Sequence, residues 1–247
     1  MNIHIVIPAR FASTRLPGKP LADIAGKPMI VRVAAQAARS MASDVVVAVD
    51  DQRVAEAVIA EGWQAETTRR DHVSGSDRVM EVASRRGWPD DDIVINVQGD
   101  EPLVPPQVID QLCEGMLARP DVTMATLSEP ISDIDDFLNP NVVKVVADEA
   151  GMAMTFSRSP IPYPRDTAGG DVPTGAARHV GIYGFRVSAL RRFIALGESS
   201  LEGIEKLEQL RWLQASLPLL VIQANERVPG GVDTPEDLAR VQALFSA

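Results

Sequence analysis

The chain has 247 residues, of which 45% are hydrophobic, so it is long enough for one large α/β domain and unlike a disordered or collagen-like chain. It carries 34 acidic and 24 basic residues, a formal net charge of −10, which argues against a general nucleic-acid binder. Its one cysteine, Cys113, favours a reducing compartment, and the sequence lacks a signal-peptide pattern and any run of roughly 20 apolar residues. We therefore expect a cytoplasmic protein without membrane or nucleic-acid partners.

The first 120 residues alternate short β-branched runs with helical patterns. Strands are predicted at residues 3–7, 44–49 and 93–97, and helices at 29–40, 52–61, 76–86 and 105–117. Ser76 is the expected N-cap of the third helix. Strands separated by helices imply βαβ units, and continuous apolar runs imply strands buried on both faces. The pattern therefore predicts a mainly parallel sheet.

After about residue 120 the strands follow one another more closely. Strand patterns cover residues 122–127, 142–147, 152–156 and 180–185, and are followed by a helix at 201–214, a strand at 219–223 and a last helix from Pro235. Residues 165–177 resemble one long exposed loop. Because no repeat or linker interrupts the chain, we predict a single α/β domain, residues 1–247, with a smaller mixed-strand elaboration in its second half.

A basic loop follows the first predicted strand. Residues 8–20, PARFASTRLPGKP, include Arg10, Arg15 and Lys19 but no acid. Open α/β sheets bind ligands at the carboxyl ends of their strands, and backbone N–H groups supported by cations suit a polyphosphate. The alternative is a solvated basic turn; we favour anion binding because the rest of the chain is acidic. The loop is not a Walker A motif.

Two aspartates are candidate metal ligands. Asp100 directly follows the predicted strand at residues 93–97, where a carboxylate beside a phosphate-binding loop suits Mg²⁺, although it could also cap a turn. Asp233 precedes Thr234, the expected N-cap of the last helix, with Asp237 as its capping-box partner. From the residues alone, Asp233 is slightly better explained as the helix cap than as a metal ligand.

A polar pocket is indicated in the second half. His179 and Tyr183 share one face of a predicted strand, with Gly181 leaving space between them, although this face could equally be solvated. Glu208 falls on the apolar side of the helix predicted at residues 201–214. Its carboxylate could pair with Arg211 or bind a ligand hydroxyl.

Other segments carry weaker signals. Arg158 and Arg165 flank a proline-rich stretch and could bind a carboxylate or phosphate. Residues 72–78, HVSGSDR, form only a glycine-containing turn before a helix, and Cys113 is expected to be inert packing.

Four motifs occur in an order that chance would rarely produce: RLPGKPL at residues 15–21, VQGDEP at 97–102, SRSPIP at 157–162 and LEQLR at 207–211. Together they resemble the 3-deoxy-manno-octulosonate (Kdo) cytidylyltransferases, the CMP-Kdo synthetases of lipopolysaccharide biosynthesis. The resemblance implies a Rossmann-like nucleotidyltransferase fold, a homodimer, CTP and Mg²⁺. It divides the domain into a CTP-binding half, about residues 1–120, and a sugar-binding and dimerisation elaboration, about 121–230.

The resemblance also assigns roles by position. It implies that the triphosphate is contacted by Arg10, Ser13 and Lys19, and that the cytidine is surrounded by Ala9, Ser74, Gly75 and Arg78. The implied Mg²⁺ ligands are Asp100 and Asp233. The implied sugar-acid pocket consists of Gln98, Arg158, Arg165, His179, Tyr183 and Glu208. Arg10, Lys19 and Asp100 are the implied catalytic residues.

The implied reaction is attack of the anomeric hydroxyl of Kdo on the α-phosphorus of CTP, with release of pyrophosphate. Its nearest rival is the same CMP transfer to 8-amino-Kdo or a nonulosonate. A metal-dependent glycosyltransferase is a further alternative, but Gln98 stands where its Asp-x-Asp motif needs the first acid. A non-enzymatic nucleotide-binding module would not need both metal carboxylates.

Overall fold

Alternating strands and helices build the first half of the chain, as the sequence predicts. The computed structural model describes residues 1–167 and 170–246. Up to residue 118 its elements are β1 (Ile3–Ala9), β2 (Asp23–Ile24), β3 (Lys27–Pro28), α1 (Met29–Ala37), β4 (Asp44–Val49), α2 (Gln52–Ala60), β5 (Gln64–Thr67), α3 (Gly75–Arg86), β6 (Ile93–Asn96) and α4 (Pro106–Ala118). Strands β6, β1, β4 and β5 are parallel neighbours in that order, which confirms the predicted βαβ units.

Both faces of this parallel sheet are buried. Ile5, Val6 and Ile7 of β1 are fully buried, although they point alternately to opposite faces. Ile5 and Ile7 belong to the core formed with α1, α2 and α4, whereas Val6 packs in the core formed with α3. Helices on both faces give the doubly wound α/β architecture that the sequence predicts.

Two local predictions in this half need correction. Strand β5 was not predicted, because it is an edge strand whose sequence, QAET, has only one apolar residue. The N-cap of α3 is Ser74 rather than Ser76. Ser74 Oγ accepts the N–H of Asp77 at 3.2 Å, while Asp77 Oδ2 accepts the N–H of Ser74 at 2.9 Å, and Ser76 is buried inside the first turn. The capping box therefore starts the helix one residue before the predicted position.

The second half extends the same sheet with strands of both directions. Its elements are β7 (Met124–Pro130), α5 (Ile134–Leu138), β8 (Lys144–Ala147), β9 (Ala153–Ser157), β10 (Ala177–Arg186), α6 (Val187–Leu196), α7 (Ser200–Glu205), α8 (Leu210–Gln214), β11 (Leu220–Gln223) and α9 (Pro235–Ser246). β10 runs antiparallel between β6 and β7, and β11 pairs in parallel with β7 at the far edge. β8 and β9 form a hairpin beside the start of β10. The predicted mixed-strand elaboration is confirmed.

The single helix predicted over residues 201–214 is wrong. Lys206 has a left-handed backbone, with φ of 52°, so α7 ends there and α8 begins at Leu210. Leu201 and Ile204 are 46% and 78% exposed, so the first part of the predicted apolar stripe does not face the core, whereas Leu207 and Leu210 are buried. Glu208 therefore lies in the turn between two short helices.

Arg211 also has a different partner from the one considered. Its Nε donates to Glu202 Oε2 at 2.9 Å, and its terminal nitrogen makes a second contact with the same carboxylate. Both residues are buried, and Glu202 additionally closes a capping box with Ser199 at the start of α7. Arg211 therefore forms its ion pair with Glu202 rather than with Glu208 and joins α8 to α7, although at longer range its charge still partly offsets the rise in the pKa of Glu208 that burial causes.

Three smaller predictions concern the loop, the cysteine and the membrane. Within residues 165–177, Arg165–Thr167 form a short 3₁₀ turn and residues 170–176 are irregular, while residues 168–169 of the predicted loop lie outside the described residues. Cys113 is buried in α4, where burial raises the pKa of its thiol to about 12, in agreement with a packing role. Across the described part of the chain, no helix is long and apolar enough to cross a membrane.

Arg211→Met should strongly destabilise the protein, because it leaves the Glu202 carboxylate buried without its cation. We expect a loss of about 3–5 kcal/mol in the free energy of unfolding, measured by urea denaturation. The double variant Glu202→Gln/Arg211→Met removes the charge as well and should lose less. A double variant that is as unstable as Arg211→Met would contradict the assignment.

Candidate active site

A cleft of about 380 Å³ opens at the carboxyl ends of β1 and β6. The basic loop of residues 8–20 supplies much of its lining. Many of the predicted site residues line this cleft: Ala9, Arg10, Ser13, Lys19, Gly75, Gln98, Asp100 and Asp233. The cleft therefore lies at the strand ends, where the sequence predicts the ligand site.

Two glycines allow the loops around the cleft to approach each other. A Cβ atom on Gly99 would lie 2.8 Å from the carbonyl oxygen of Pro8, so only glycine lets the segment after β6 pass this close to the end of β1. Gly18 has φ of 68° and precedes the 3₁₀ turn that begins at Lys19. These backbone features bring Lys19 next to Asp100.

Lys19 lies between the two candidate metal ligands. Its Nζ donates to Asp100 Oδ2 at 2.6 Å and to Asp233 Oδ1 at 2.8 Å. Arg15 adds a second cation, 3.0 Å from Asp233 Oδ1. Burial works against the charge of Lys19, but the two carboxylates outweigh it and raise the pKa of the amine above its ordinary value. The fold thus joins residues from the start, middle and end of the chain in one ionic cluster.

The alternative role of Asp233 as a helix cap is wrong. Thr234 Oγ1 accepts the N–H of Asp237 at 3.2 Å, and Asp237 Oδ2 accepts the N–H of Thr234 at 3.1 Å. This is the capping box predicted for α9. The side chain of Asp233 instead points towards Lys19 and Arg15.

The carboxylates of Asp100 and Asp233 fit a magnesium ion. Both contact the Lys19 ammonium and already lie at the wall of the cleft. Mg²⁺ takes one or two protein carboxylates and completes its octahedron with water and phosphate oxygens, so it does not need a larger protein cage. Among the described residues, no group of three or more histidine, cysteine, aspartate or glutamate side chains is placed to hold a metal ion, so a magnesium site here would use only these two carboxylates from the protein.

The loop formed by residues 69–73, here called the Arg69 loop, connects to the cleft through Arg10. The terminal nitrogen of the Arg10 guanidinium donates to the carbonyl oxygen of His72. Phe11, the next residue, donates its N–H to Asp50 Oδ1 at 2.9 Å, which fixes the start of the basic loop. Ser13 Oγ accepts the N–H of Leu16 at 3.3 Å. Arg10 therefore reaches the cleft from an anchored backbone.

The residues predicted around a cytidine are only partly brought together. Gly75 lines the cleft, and a Cβ there would lie 3.3 Å from Pro8 Cγ; Ser74 precedes it as the N-cap of α3. Arg78 is fully buried and donates to the carbonyl oxygen of Arg69 at 3.2 Å. Burial lowers the pKa of its guanidinium. Arg78 thus lies behind the Arg69 loop rather than in the cleft lining.

His179 and Tyr183 lie together on β10, with ring centroids 5.3 Å apart. Both are partly buried, so this face of β10 is only partly open to solvent. Burial lowers the pKa of His179 to about 3 and raises that of Tyr183 well above its ordinary value, so both rings are neutral. Gln98 Nε2 donates to the carbonyl oxygen of Gly181, between them, at 3.4 Å. This contact links the pair to the cleft.

Glu208 closes the same region from the turn between α7 and α8. Its Oε1 is buried and has no hydrogen-bond partner among the described residues. Burial raises the pKa of the carboxyl group, and the hydroxyls of Ser74 and Ser76 only partly offset this. The same carboxylate also raises the pKa of Tyr183. A buried polar atom without a partner indicates a place where a polar ligand would bind.

The two remaining predicted residues lie elsewhere. The guanidinium of Arg158 donates to the main-chain carbonyls of Glu205 at 2.6 Å, Pro140 at 2.9 Å and Lys206 at 3.4 Å. These contacts tie the end of β9 to the α7–α8 turn. Arg165 is exposed in its 3₁₀ turn. Neither side chain lines the cleft in this structure.

Three supporting residues were not found from the sequence. Asp50 binds the N–H of Phe11, Thr126 Oγ1 lies 3.0 Å from His179 Nε2, and Glu81 binds the Arg69 loop. Thr126 stands within an apolar strand pattern and Glu81 on the polar side of a helix pattern. Neither position carries a local signal of its role.

Comparison with known proteins agrees with this geometry. Residues 4–223 match the cytidylyltransferase family. The chain is 53% identical over 251 residues to a 3-deoxy-manno-octulosonate cytidylyltransferase from Cellvibrio japonicus, covering 99% of this chain and 98% of that protein. A protein of the same name from Pseudomonas fluorescens is 52% identical over 248 residues, covering 98% of each chain.

Solved structures show the same fold. A CMP:2-keto-3-deoxy-manno-octonic acid synthetase in complex with CTP has a TM-score of 0.92 and 43% sequence identity, covering 100% of this chain and 99% of the other. A cytidylyltransferase from Leptospira borgpetersenii shares the fold at a TM-score of 0.64 and 18% identity, covering 100% of this chain and 87% of that one.

The neutral state of His179 predicts an acid-sensitive fold. Its folded pKa of about 3 lies below the ordinary 6.5, so between these values the unfolded chain binds a proton that the folded chain does not. Stability is therefore lost as the pH falls below 6.5. From pH 7 to pH 5 the wild type should lose about 1–2 kcal/mol more unfolding free energy than His179→Gln, measured by urea denaturation. Equal losses would contradict a buried neutral imidazole.

Proposed function

The chain belongs to the 3-deoxy-manno-octulosonate cytidylyltransferase family, and we propose that it transfers CMP from CTP to Kdo and releases pyrophosphate. The observation that carries this function is the cluster of Lys19, Asp100 and Asp233 in the cleft at the strand ends, beside Arg10. This cluster provides both the cations for a triphosphate and the carboxylates for a magnesium ion. The relatives at 52–53% identity carry the name of this activity.

The basic loop binds the triphosphate. Arg10 and Lys19 offset its negative charge, and Ser13 lies on the same wall of the cleft. Attack on the α-phosphorus requires little covalent chemistry from the protein, so positioning and charge neutralisation provide most of the rate. Gly75, at the capped start of α3, also lines the cleft and receives the cytidine.

Asp100 and Asp233 hold magnesium in this proposal. A magnesium ion held by these carboxylates would orient phosphate oxygens and help to activate the attacking hydroxyl. Lys19 Nζ separates the two carboxylates in the structure, so it must share or exchange these contacts when the metal and the nucleotide bind. The ammonium then lies next to the phosphates, where its charge is still needed.

The sugar acid occupies the region bounded by β10 and the α7–α8 turn. His179 and Tyr183 present neutral polar groups, and Glu208 presents a carboxyl oxygen without a protein partner. Gln98 lies between this pocket and the metal ligands, which suits a hydroxyl that attacks the nucleotide. Arg158 and Arg165 remain sugar-acid ligands by prediction from the family resemblance only.

Three properties that the family resemblance implies complete the proposal. They are a place in lipopolysaccharide biosynthesis, a homodimer with contacts from the elaboration at residues 121–230, and a cytoplasmic location.

The direct test is incubation with CTP, Mg²⁺ and a panel of sugar acids while pyrophosphate is measured. Kdo should give the highest kcat/KM, above 8-amino-Kdo and the nonulosonates. Pyrophosphate release with none of these acids would overturn the proposed function, and a preference for another acid would replace Kdo as the substrate.

Asp100 and Asp233 should act as one unit. Asp100→Asn or Asp233→Asn should each lower kcat/KM by about 10²-fold or more, and the double variant should lose little beyond either change, because the two carboxylates hold the same metal. The measurement is a double-mutant cycle on kcat/KM with magnesium titration. Glu236→Gln, an exposed acid on α9, is the control and should keep normal magnesium dependence. Fully additive losses would show that the carboxylates act separately.

The chain offers a matched pair of tyrosines to test the sugar pocket. Tyr183→Phe should raise the KM for Kdo about tenfold and leave CTP binding nearly unchanged, because it removes a hydrogen bond to a sugar group. Tyr163→Phe alters a tyrosine that is 62% exposed and should change neither. An equal loss of CTP affinity in Tyr183→Phe would place the ring outside the sugar pocket.

A further inference from the structure

We propose that Glu81 is a positioning residue of the nucleotide site: it holds the Arg69 loop so that the His72 carbonyl keeps the Arg10 guanidinium directed into the cleft. Glu81 lies on α3 and does not line the cleft. It acts on the ligand only through two intervening residues. This inference rests on the proposed binding of CTP.

Glu81 is the main polar contact between α3 and the Arg69 loop. Its Oε2 accepts the N–H of Arg69 at 3.0 Å and also the ring N–H of His72 at Nε2. Its Oε1 pairs with Arg85, one helical turn further along α3. Burial opposes the charge of Glu81, but the hydrogen bonds from Arg69 and His72 outweigh it and lower the pKa of the carboxyl group. Glu81 is therefore ionised and holds both ends of the loop.

The Arg69 loop has no apolar anchor of its own. Val73, its only large hydrophobic residue, is 86% exposed. The loop, Met80 on α3 and Ile194 on α6 instead line an open groove of about 510 Å³. Because side-chain packing does not support the loop from this side, its position depends on hydrogen bonds. Glu81 makes these together with Arg78, which binds the carbonyl oxygen of Arg69.

His72 links the Arg69 loop to the cleft. Its ring contacts Glu81, whereas its carbonyl oxygen accepts the hydrogen bond from Arg10. Arg10 is otherwise exposed, so this bond is what restricts its guanidinium in the free protein. A long side chain that is held before the ligand arrives loses less conformational entropy on binding. Displacing the loop would therefore weaken the contact of Arg10 with the triphosphate.

The test compares three variants by calorimetric titration with CTP and Mg²⁺ in the absence of a sugar acid. Glu81→Ala removes both hydrogen bonds that Glu81 makes with the loop and should raise the Kd for CTP about tenfold, the value of one charge-assisted hydrogen bond. Glu81→Gln keeps an acceptor for the Arg69 N–H and should raise it less. Arg85→Ala removes the ion pair with Glu81 and a hydrogen bond to the carbonyl oxygen of Thr67, but no contact with residues 69–73. Because Arg85 is 52% exposed, the Kd of this variant should stay within about twofold of wild type.

A double-mutant cycle separates positioning from general destabilisation. In an Arg10→Ala background, Glu81→Ala should cause little further loss of CTP affinity, because the group that it positions is already absent. The KM for the sugar acid should not change in Glu81→Gln. If Glu81→Ala does not fold, Glu81→Gln takes its place in the cycle, and thermal melting verifies that each variant tested is folded.

Unchanged CTP affinity in the folded Glu81 variants would overturn the inference, and so would a loss that persists in full without Arg10. A wild-type protein that does not bind CTP would instead refute the proposed function. The two failures are therefore distinguishable in the same titration.

Discussion

The cleft depends on one ammonium group between two carboxylates. Without Lys19, Asp100 and Asp233 would face each other as like charges at the wall of the cleft. The lysine is positioned by the left-handed Gly18 and the turn that follows it, and Asp100 by the close passage of Gly99 over β1. The ionic contact therefore depends on two glycines far apart in sequence, Gly18 for its positive φ and Gly99 for the space that a side chain would fill.

β10 joins the two halves of this architecture. It runs antiparallel between β6 and β7, so the half that carries the basic loop and the half that carries the polar pocket share one sheet. Its register against β7 shifts between Val180 and Tyr183, and Thr126 Oγ1 donates to the carbonyl oxygen of Ile182 at 2.8 Å inside this irregularity. The bulge sets the angle at which Tyr183 approaches the cleft, because bulges redirect the side chains beside them. Gln98, which follows β6, reaches this irregular part of β10 through its hydrogen bond to the carbonyl oxygen of Gly181.

The sequence predicts best what depends on local pattern. β1, β4 and β6 follow from continuous apolar runs, and the cap of α9 follows from the spacing of Thr234 and Asp237. The site residues next to strand ends follow because the ends of parallel strands share one edge of the sheet. These features need no knowledge of distant contacts.

What the sequence could not predict depends on partners far along the chain or on backbone conformation. The break at Lys206 has no proline or glycine to indicate it, since a lysine adopts the left-handed conformation there. Arg78 resembles a ligand-binding arginine, yet its contacts with Thr68 and Arg69 place it behind the loop. The contacts of Glu81 are with a loop that follows the edge strand β5. Because β5 has almost no apolar residues, the sequence does not reveal the position of this loop.

The distance between Lys19 and Asp233 has a consequence for synthesis on the ribosome. Their positions are 214 residues apart, which at about 5–20 residues per second corresponds to about 10–40 s of translation. During that interval the nascent chain can complete the parallel half of the sheet but not the ionic cluster. Every strand of the described fold precedes Asp233, so the second carboxylate arrives only after the whole sheet has been made. A growing chain is therefore unable to form the Lys19–Asp233 contact before its sheet has been synthesised.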